Sequence, residues 1–186
     1  ACPCALVIST PVATTVALTR GIREGVLIRG SRFIDVMAGV KTVCFDKTGT
    51  LTEGNPRVVS LWSKGESRRN ELLEIAATLE QQSLHPLAKA ILSYAESQGI
   101  APLPAPRIET VFGQGIRGII RGRQYWIGSL KWARELLEDV ESLSDQQSEF
   151  ELPGTTVVVG AEREVLGTLR LEDPIREVGK KLVGTL

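Results

Sequence analysis

The pattern of apolar and polar positions begins with an uncharged run. The first 19 residues contain no charged side chain, and a helix of that length spans roughly 28 Å, close to the roughly 30 Å of a bilayer's hydrocarbon core. Four arginines follow: Arg20, Arg23, Arg29 and Arg32. By the positive-inside rule they indicate that this side faces the cytoplasm. The pattern predicts a transmembrane helix at 1–19 and a cytoplasmic stalk at 20–40, and a buried core helix is the alternative.

The next apolar stretch, Lys41 to Phe45, predicts a short buried strand that leads into Asp46, with Cys44 in the core. After Pro56, helical and strand periodicities alternate. The predicted helices are Asn70–Leu79, Pro86–Gln98, Leu130–Leu137 and Ser144–Glu151. The predicted strands are Arg57–Trp62, Ile108–Phe112, Ile116–Arg121, Gln124–Ile127, Thr155–Val159 and Glu164–Leu171.

These elements predict an α+β domain at 57–172, an antiparallel sheet with helices on one face. It is inserted between two pieces of another domain, 41–56 and 173–186. Apolar residues continue at helical spacing from Ile175 to Leu186, and the chain begins within an apolar run. The sequence is therefore interpreted as a fragment.

Composition excludes some classes of function. Lys and Arg number 22, as do Asp and Glu, so the formal net charge is zero. Such a chain lacks the basic surface of a nucleic-acid-binding protein, and no nucleic-acid partner is predicted. Three cysteines, two of them in C-P-C, do not make a disulfide framework.

The C-P-C stretch, Cys2 to Cys4, lies in the predicted membrane helix. Pro3 removes a backbone donor, and such breaks are tolerated in membranes where the freed groups line a site. Two thiols beside the break are soft ligands for Cu(I), or for Zn(II) and similar ions. Cys2 and Cys4 are thus candidate ligands of a transported ion, and two cysteines that only pack are the alternative.

The seven residues from Asp46 to Thr52, D-K-T-G-T-L-T, resemble the phosphorylation motif of P-type ATPases. With C-P-C about forty residues upstream, the chain resembles the transition-metal-transporting branch of that family. The resemblance covers the whole sequence in order and implies part of an α/β phosphorylation domain of the haloacid-dehalogenase type. A lone aspartate at a strand end is ordinarily a turn cap; here the surrounding residues favour a nucleophile.

The resemblance implies an aspartyl-phosphate on Asp46, with Lys47 and Thr48 contacting the phosphate. Asp46 and the Thr48 carbonyl are implied Mg²⁺ ligands. It also implies that Asp173-Pro174-Ile175-Arg176 is the hinge that returns from the inserted domain.

A second resemblance concerns ATP. Ser83 to Leu87, S-L-H-P-L, is similar to the His-Pro motif of metal-pumping ATPases, where the histidine orients the nucleotide. An acidic residue normally precedes His-Pro, but this chain has Leu84. G-x-G-x-x-G at 113–118 is weak alone, and a strand pattern follows it where a dinucleotide fold needs a helix. The implied nucleotide-binding residues are His85, Pro86, Gly113, Gly115, Ile116, Gly118 and Gly128, and Ser129 stands where the family usually has Asn.

The resemblance therefore implies a multi-pass membrane pump that uses ATP and Mg²⁺ to export a transition-metal ion, Cu⁺ above Zn²⁺, Cd²⁺ or Pb²⁺, with a metallochaperone as donor. Two alternatives stay open. A haloacid-dehalogenase-type phosphatase would usually carry a second Asp at the position of Thr48. A non-catalytic nucleotide-binding module would bind ATP without phosphorylating Asp46.

Overall fold

The computed structural model describes residues 4–65, 68–104, 107–137 and 152–185. The chain forms two compact units, Ala1–Phe45 and Asp46–Leu186. The first unit contains helix α1, Cys4–Arg23, and helix α2, Arg32–Ala38. In α1, threonine hydroxyls donate to the carbonyl one turn earlier, at 2.8–2.9 Å. These side chains therefore satisfy their hydrogen bonds within the helix.

The sequence predicted a transmembrane helix at 1–19. Across the described ranges, none of the helices is both long and apolar enough to cross a membrane. The described helix here is α1, which continues past the predicted span to Arg23. It includes hydroxyl side chains in its middle and two arginines, Arg20 and Arg23, in its last turn. These residues lower its average hydropathy.

The predicted strand Lys41–Phe45 is wrong. These residues adopt neither strand nor helix, and Val43 and Cys44 are exposed rather than buried. A strand satisfies its backbone groups by pairing with a neighbour. The described remainder of the first unit consists of helices and turns and offers no such neighbour.

The second unit begins with a tight turn, Lys47–Leu51, here called the DKTG turn. Asp46 precedes it in an extended conformation, and Thr48 within it is also extended. Gly49 has φ +78°, the left-handed region that glycine enters without steric cost. The turn therefore reverses the chain directly after Asp46.

A six-stranded antiparallel sheet forms the centre of the second unit. Its strands are β1 Arg57–Ser63, β2 Arg107–Val111, β3 Gly115–Ile120, β4 Arg123–Ser129, β5 Thr155–Ala161 and β6 Glu164–Glu172. Their order across the sheet is β1-β6-β5-β4-β3-β2. The helices are α3 Arg69–Glu80, α4 Pro86–Ser97, α5 Leu130–Leu136 and α6 Glu177–Thr185. Within the described part of 57–172, the predicted helices and strands are confirmed to within two residues; the predicted helix Ser144–Glu151 lies outside the described ranges.

The sheet is covered on both faces, whereas the sequence predicted helices on one. Helices α3 and α4 pack on the face that carries Ile116, Ile127 and Val159. Helix α5 packs on the opposite face, where Trp126 and Val158 meet its Trp132. Successive side chains of a strand point to opposite faces, so neighbours such as Trp126 and Ile127 enter different cores.

Candidate functional site

Asp46 presents its carboxylate at the surface. It occupies the position before the DKTG turn, is exposed, and does not cap that turn with its side chain. Within the described ranges no hydrogen bond or ion pair engages this carboxylate, whereas Glu53 nearby is paired with Arg57 at 2.9 Å. Asp46 is therefore an accessible acid whose orientation depends on the backbone of the turn that follows.

That turn is held by residues that directly follow the inserted domain. Oδ2 of Asp173 accepts the Thr52 hydroxyl at 2.6 Å and the Gly54 amide at 3.2 Å. Oδ1 of the same carboxylate accepts the Asn55 amide at 3.2 Å. One side chain thus receives three donors from the segment that follows the turn.

Thr52 connects this carboxylate to the turn itself. Its side chain is buried, with 3% of the residue exposed. Its hydroxyl oxygen accepts the Gly49 amide at 3.1 Å and lies 3.1 Å from the Lys47 carbonyl. The Thr52 amide also donates to that carbonyl, at 3.1 Å.

Arg176 adds a second set of contacts. Its Nε donates to the Thr52 carbonyl at 2.8 Å and its Nη2 to the Glu53 carbonyl at 3.3 Å. Thr52 and Ile175 form a β-bridge, and the amide of Arg176 donates to the Leu51 carbonyl at 2.8 Å. The D-P-I-R segment that the sequence predicted as a hinge therefore lies against the phosphorylation motif.

Neither Thr52 nor Asp173 is assigned an individual role by the sequence alone. They lie 121 positions apart, so their spacing carries no signal of contact. The type of residue at position 173 could have indicated the contact. Asp173 is an acid at the end of a strand, directly before Pro174, and it caps no helix or turn there, so a distant hydrogen-bond partner could be expected.

The His-Pro motif forms the start of α4. His85 is the N-cap, its Nδ1 accepts the Leu87 amide at 3.2 Å, and Pro86 follows in the first turn. Because Nδ1 is an acceptor here, the neutral imidazole carries its hydrogen on Nε2. His85 is exposed, so Nε2–H is available as a donor.

The acid that the family resemblance leads one to expect at position 84 is replaced by a leucine that is 87% exposed. Glu80, at the end of α3, is the acid closest to this loop in sequence. Burial raises the pKa of Glu80 above its usual value, and a hydrogen bond with the Ser83 side chain partly offsets that effect. The Ser83 hydroxyl also accepts the His85 amide at 3.3 Å.

The predicted glycines meet where β3 begins and β4 ends. Gly115 lies directly opposite Gly128 in the β3–β4 register. A Cβ on Gly115 would be 2.1 Å from the Ile127 carbonyl, and a Cβ on Gly128 would be 2.4 Å from the Trp132 ring. Both positions therefore require glycine for strand packing, whatever ligand binds.

The other predicted residues of this region differ in backbone conformation, burial and hydrogen bonding. Gly113 has φ +71° and open space where a side chain would be. The Ile116 side chain is buried in the core and is not available to a ligand. Ser129 caps α5, accepting the Trp132 amide at 3.2 Å, so the serine that replaces Asn has a structural role.

An open cleft of about 700 Å³ lies along β2, β3 and β4. Gly118 of β3, Gln124 of β4 and Gln82, which precedes the His-Pro motif, line it, together with the ion pair Arg117–Glu109, 2.9 Å long. A cleft of this size is typical of small-molecule sites.

The side chains of Cys2 and Cys4, the candidate ligands of a transported ion, lie outside the described part of the structure. Cys2 precedes the described residues, and Cys4 is described only as the first residue of α1. In the ranges that the structure covers, no group of three or more His, Cys, Asp or Glu could hold a metal ion.

Comparison with known proteins agrees with these features. The family described as "Hydrolase: haloacid dehalogenase-like hydrolase" matches residues 40–186. A probable cadmium-transporting ATPase of Alkalihalophilus pseudofirmus is 37% identical over 100% of this chain, which spans 26% of that relative.

Two solved structures extend the comparison. The crystal structure of a zinc-transporting PIB-type ATPase in the E2.Pi state superposes with a TM-score of 0.81 at 35% identity, over 99% of this chain and 30% of that one. The N-domain of HMA8, a copper-transporting P-type ATPase, matches with a TM-score of 0.55 at 30% identity, over 61% of this chain and 98% of that domain. The resemblance inferred from D-K-T-G-T-L-T is confirmed: the chain belongs to the haloacid dehalogenase-like hydrolases, and its relatives are metal-transporting P-type ATPases.

Proposed function

We propose that this chain is the catalytic part of an ATP-driven transition-metal pump that is phosphorylated on Asp46. The observation that carries the proposal is the exposed Asp46 carboxylate, free of partners among the described residues, at a turn that the end of the inserted domain holds in place. The chain spans about a quarter of the length of the cadmium ATPase that it matches, so transport itself belongs to the longer protein.

The proposed reaction is a phosphoryl transfer. A carboxylate oxygen of Asp46 attacks the γ-phosphorus of ATP, the bond from that phosphorus to the bridging oxygen breaks, and ADP leaves with that oxygen. Water later attacks the acyl phosphate, releasing inorganic phosphate and restoring the carboxylate. Positioning and electrostatics supply most of the catalysis in such transfers. Lys47 and the Thr48 hydroxyl follow Asp46 directly and contribute charge and hydrogen bonds to the phosphate.

The inserted domain would supply the nucleotide site. His85 offers Nε2–H to the nucleotide, because Leu87 occupies Nδ1. Gly113, where an added Cβ would meet open space, allows close approach on the hairpin side. The open cleft lined by Gly118, the one predicted nucleotide-binding residue in its lining, is the proposed space for part of the nucleotide.

Mg²⁺ fits the oxygen donors at the DKTG turn. Mg²⁺ prefers oxygen ligands and is commonly bound by one or two carboxylates together with substrate phosphates. The Asp46 carboxylate is not engaged elsewhere among the described residues, and the Thr48 carbonyl is the second donor at this turn. When bound, Mg²⁺ neutralises charge on the phosphoryl oxygens. Asp173 is not available to it, because that carboxylate already accepts three hydrogen bonds.

The cargo is proposed to be a soft transition-metal ion held by Cys2 and Cys4. The relatives that match are described as cadmium, zinc and copper transporters. Thiolate softness favours Cu⁺ within that set, and a metallochaperone is the proposed donor. We place the C-P-C segment in the membrane and residues after about 20 in the cytoplasm. The threonines of α1, which satisfy their hydroxyls within the helix, suit an apolar environment.

The test is phosphoenzyme formation by the intact pump with radiolabelled ATP, Mg²⁺ and Cu⁺. We expect an acid-stable, hydroxylamine-sensitive phosphoenzyme that Asp46→Asn abolishes and that Glu53→Gln, a surface control, retains. Persistent labelling of Asp46→Asn overturns the proposal. The 186-residue chain alone is expected to show no sustained ATP hydrolysis, since one carboxylate is a small part of the Mg²⁺ site; steady turnover that Asp46→Asn removes would contradict this.

A further inference from the structure

We propose that Asp173 is a positioning residue for the phosphorylation of Asp46, and that it acts through the hydroxyl of Thr52. This inference rests on the proposed role of Asp46 as the nucleophile. It assigns to the segment that returns from the inserted domain a direct influence on the geometry of the phosphorylation motif.

The Thr52 hydroxyl has two possible hydrogen-bond acceptors. It has one hydrogen, and its oxygen lies 2.6 Å from Oδ2 of Asp173 and 3.1 Å from the Lys47 carbonyl. Hydrogen bonds to a charged acceptor are shorter and stronger than those to a neutral one. The hydrogen therefore points to Asp173, which leaves the oxygen lone pairs directed at the turn.

The same Thr52 oxygen accepts a hydrogen bond from the Gly49 amide, at 3.1 Å. Gly49 and the Thr48 carbonyl share one peptide unit, which is planar and trans, so its N–H and C=O point in opposite directions. Holding the Gly49 N–H toward Thr52 thus directs the Thr48 carbonyl away from Thr52. The Thr48 carbonyl is the oxygen proposed as an Mg²⁺ ligand. Its orientation therefore depends on Asp173, which is two hydrogen bonds away.

Asp173 also links this turn to the domain junction. The carboxylate that binds Thr52 also accepts the amides of Gly54 and Asn55, which begin the connection into β1. Asp173 itself begins the connection out of β6. Both connections of the inserted domain therefore converge on one side chain. A hinge rotation that separates Asp173 from Thr52 would leave the Lys47 carbonyl, 3.1 Å away, as the acceptor for the hydroxyl hydrogen and would reorient the lone pairs that accept the Gly49 amide.

The experiment compares three substitutions in the intact pump: Thr52→Val, which keeps the shape and removes the hydroxyl, Thr52→Ser, which keeps the hydroxyl, and Asp173→Asn. The rate of phosphoenzyme formation at saturating ATP and the ATP affinity are measured separately. We expect Thr52→Val and Asp173→Asn to lower the rate at least roughly tenfold while ATP affinity changes less than about twofold. Thr52→Ser is expected to retain the rate to within about threefold.

A second readout needs neither ATP nor Mg²⁺. In the 186-residue chain, amide hydrogen exchange at Gly49 is expected to accelerate in Thr52→Val and Asp173→Asn and to stay slow in Thr52→Ser. Equal loss of rate in Thr52→Ser and Thr52→Val would overturn the inference, because retaining the hydroxyl would then not preserve the rate. Unchanged Gly49 exchange in Thr52→Val would also overturn it.

The results that would refute the positioning role of Asp173 differ from those that would refute phosphorylation of Asp46. If the wild-type pump forms no phosphoenzyme, or Asp46→Asn still forms it, the nucleophile assignment is wrong. If Asp46 is phosphorylated and the rates of Thr52→Val and Asp173→Asn equal the wild-type rate, only the positioning role is wrong.

Discussion

Replacing Gly115 by alanine separates the structural from the ligand-binding role of the glycine hairpin. In the folded protein the added Cβ would lie 2.1 Å from the Ile127 carbonyl and 2.6 Å from Cα of Gly128. Both contacts are with backbone, so no side chain can rotate to relieve them. The β3–β4 pairing has to open by more than an ångström at this point.

The expected loss of stability follows from these contacts. Overpacking of this kind costs about 1–3 kcal/mol, and a weakened strand-pairing hydrogen bond adds about 1 kcal/mol. We expect Gly115→Ala to lower the free energy of unfolding by about 2–4 kcal/mol. At Gly113 a Cβ meets open space, and only the left-handed φ opposes it, so Gly113→Ala should cost about 1 kcal/mol and Gly113→Asn less.

The assay is urea unfolding of a polypeptide of residues 57–172, which contains the sheet, both cores and all three tryptophans. Tryptophan fluorescence reports the transition, and ATP titration of the same samples reports binding. A Gly115→Ala protein with wild-type stability and lost ATP binding would refute the reasoning, because the glycine would then serve the ligand and not the strand pair. Gly113→Asn is the matched control that preserves the turn.

Three further predictions concern α3 and the loop after it. Leu84→Glu is expected to tighten ATP binding roughly tenfold by calorimetry, with Leu84→Gln as the uncharged control; an unchanged affinity would mean that the base contacts other residues. Because burial raises the pKa of Glu80 above 4.5, wild-type stability should fall as pH rises from about 4.5 through the folded-state pKa. Glu80→Gln should gain stability relative to wild type across that window, and a pH-independent difference in urea midpoints would contradict this. The buried Thr78 hydroxyl accepts the Leu103 amide at 2.8 Å, so Thr78→Val should cost about 1–3 kcal/mol and Thr78→Ser less; a loss in Thr78→Ser as large as that in Thr78→Val would contradict this.

The sequence predicted most elements of the inserted domain because their periodicity is local. Alternation through 115–129 defined two strands, and Gly99 ended α4 where expected. The second buried face was missed, although the run V-V-V-G-A at 157–161 carried the signal. A strand that is apolar at successive positions is buried on both faces. The structure shows that five successive residues there are buried.

Other features could not be predicted from local pattern. Lys41–Phe45 has the composition of a buried strand, but burial depends on neighbours that composition does not describe. The candidate site divides in the same way. Asp46 and His85 were recognisable from adjacent residues, whereas the contact of Thr52 with Asp173 joins positions 121 residues apart and depends on how the sheet returns the chain.

The pairing of the first and last strands has a practical consequence for protein engineering. Arg57 at the start of β1 is the register partner of Glu172 at the end of β6. Paired strands lie about 5 Å apart, a gap that a few residues can close. The domain at 57–172 could therefore be excised and replaced by a short Gly-containing loop. The hydrogen bond between Thr52 and Asp173 would remain. The excised domain could equally be circularised into a permuted module with new termini at the β5–β6 hairpin.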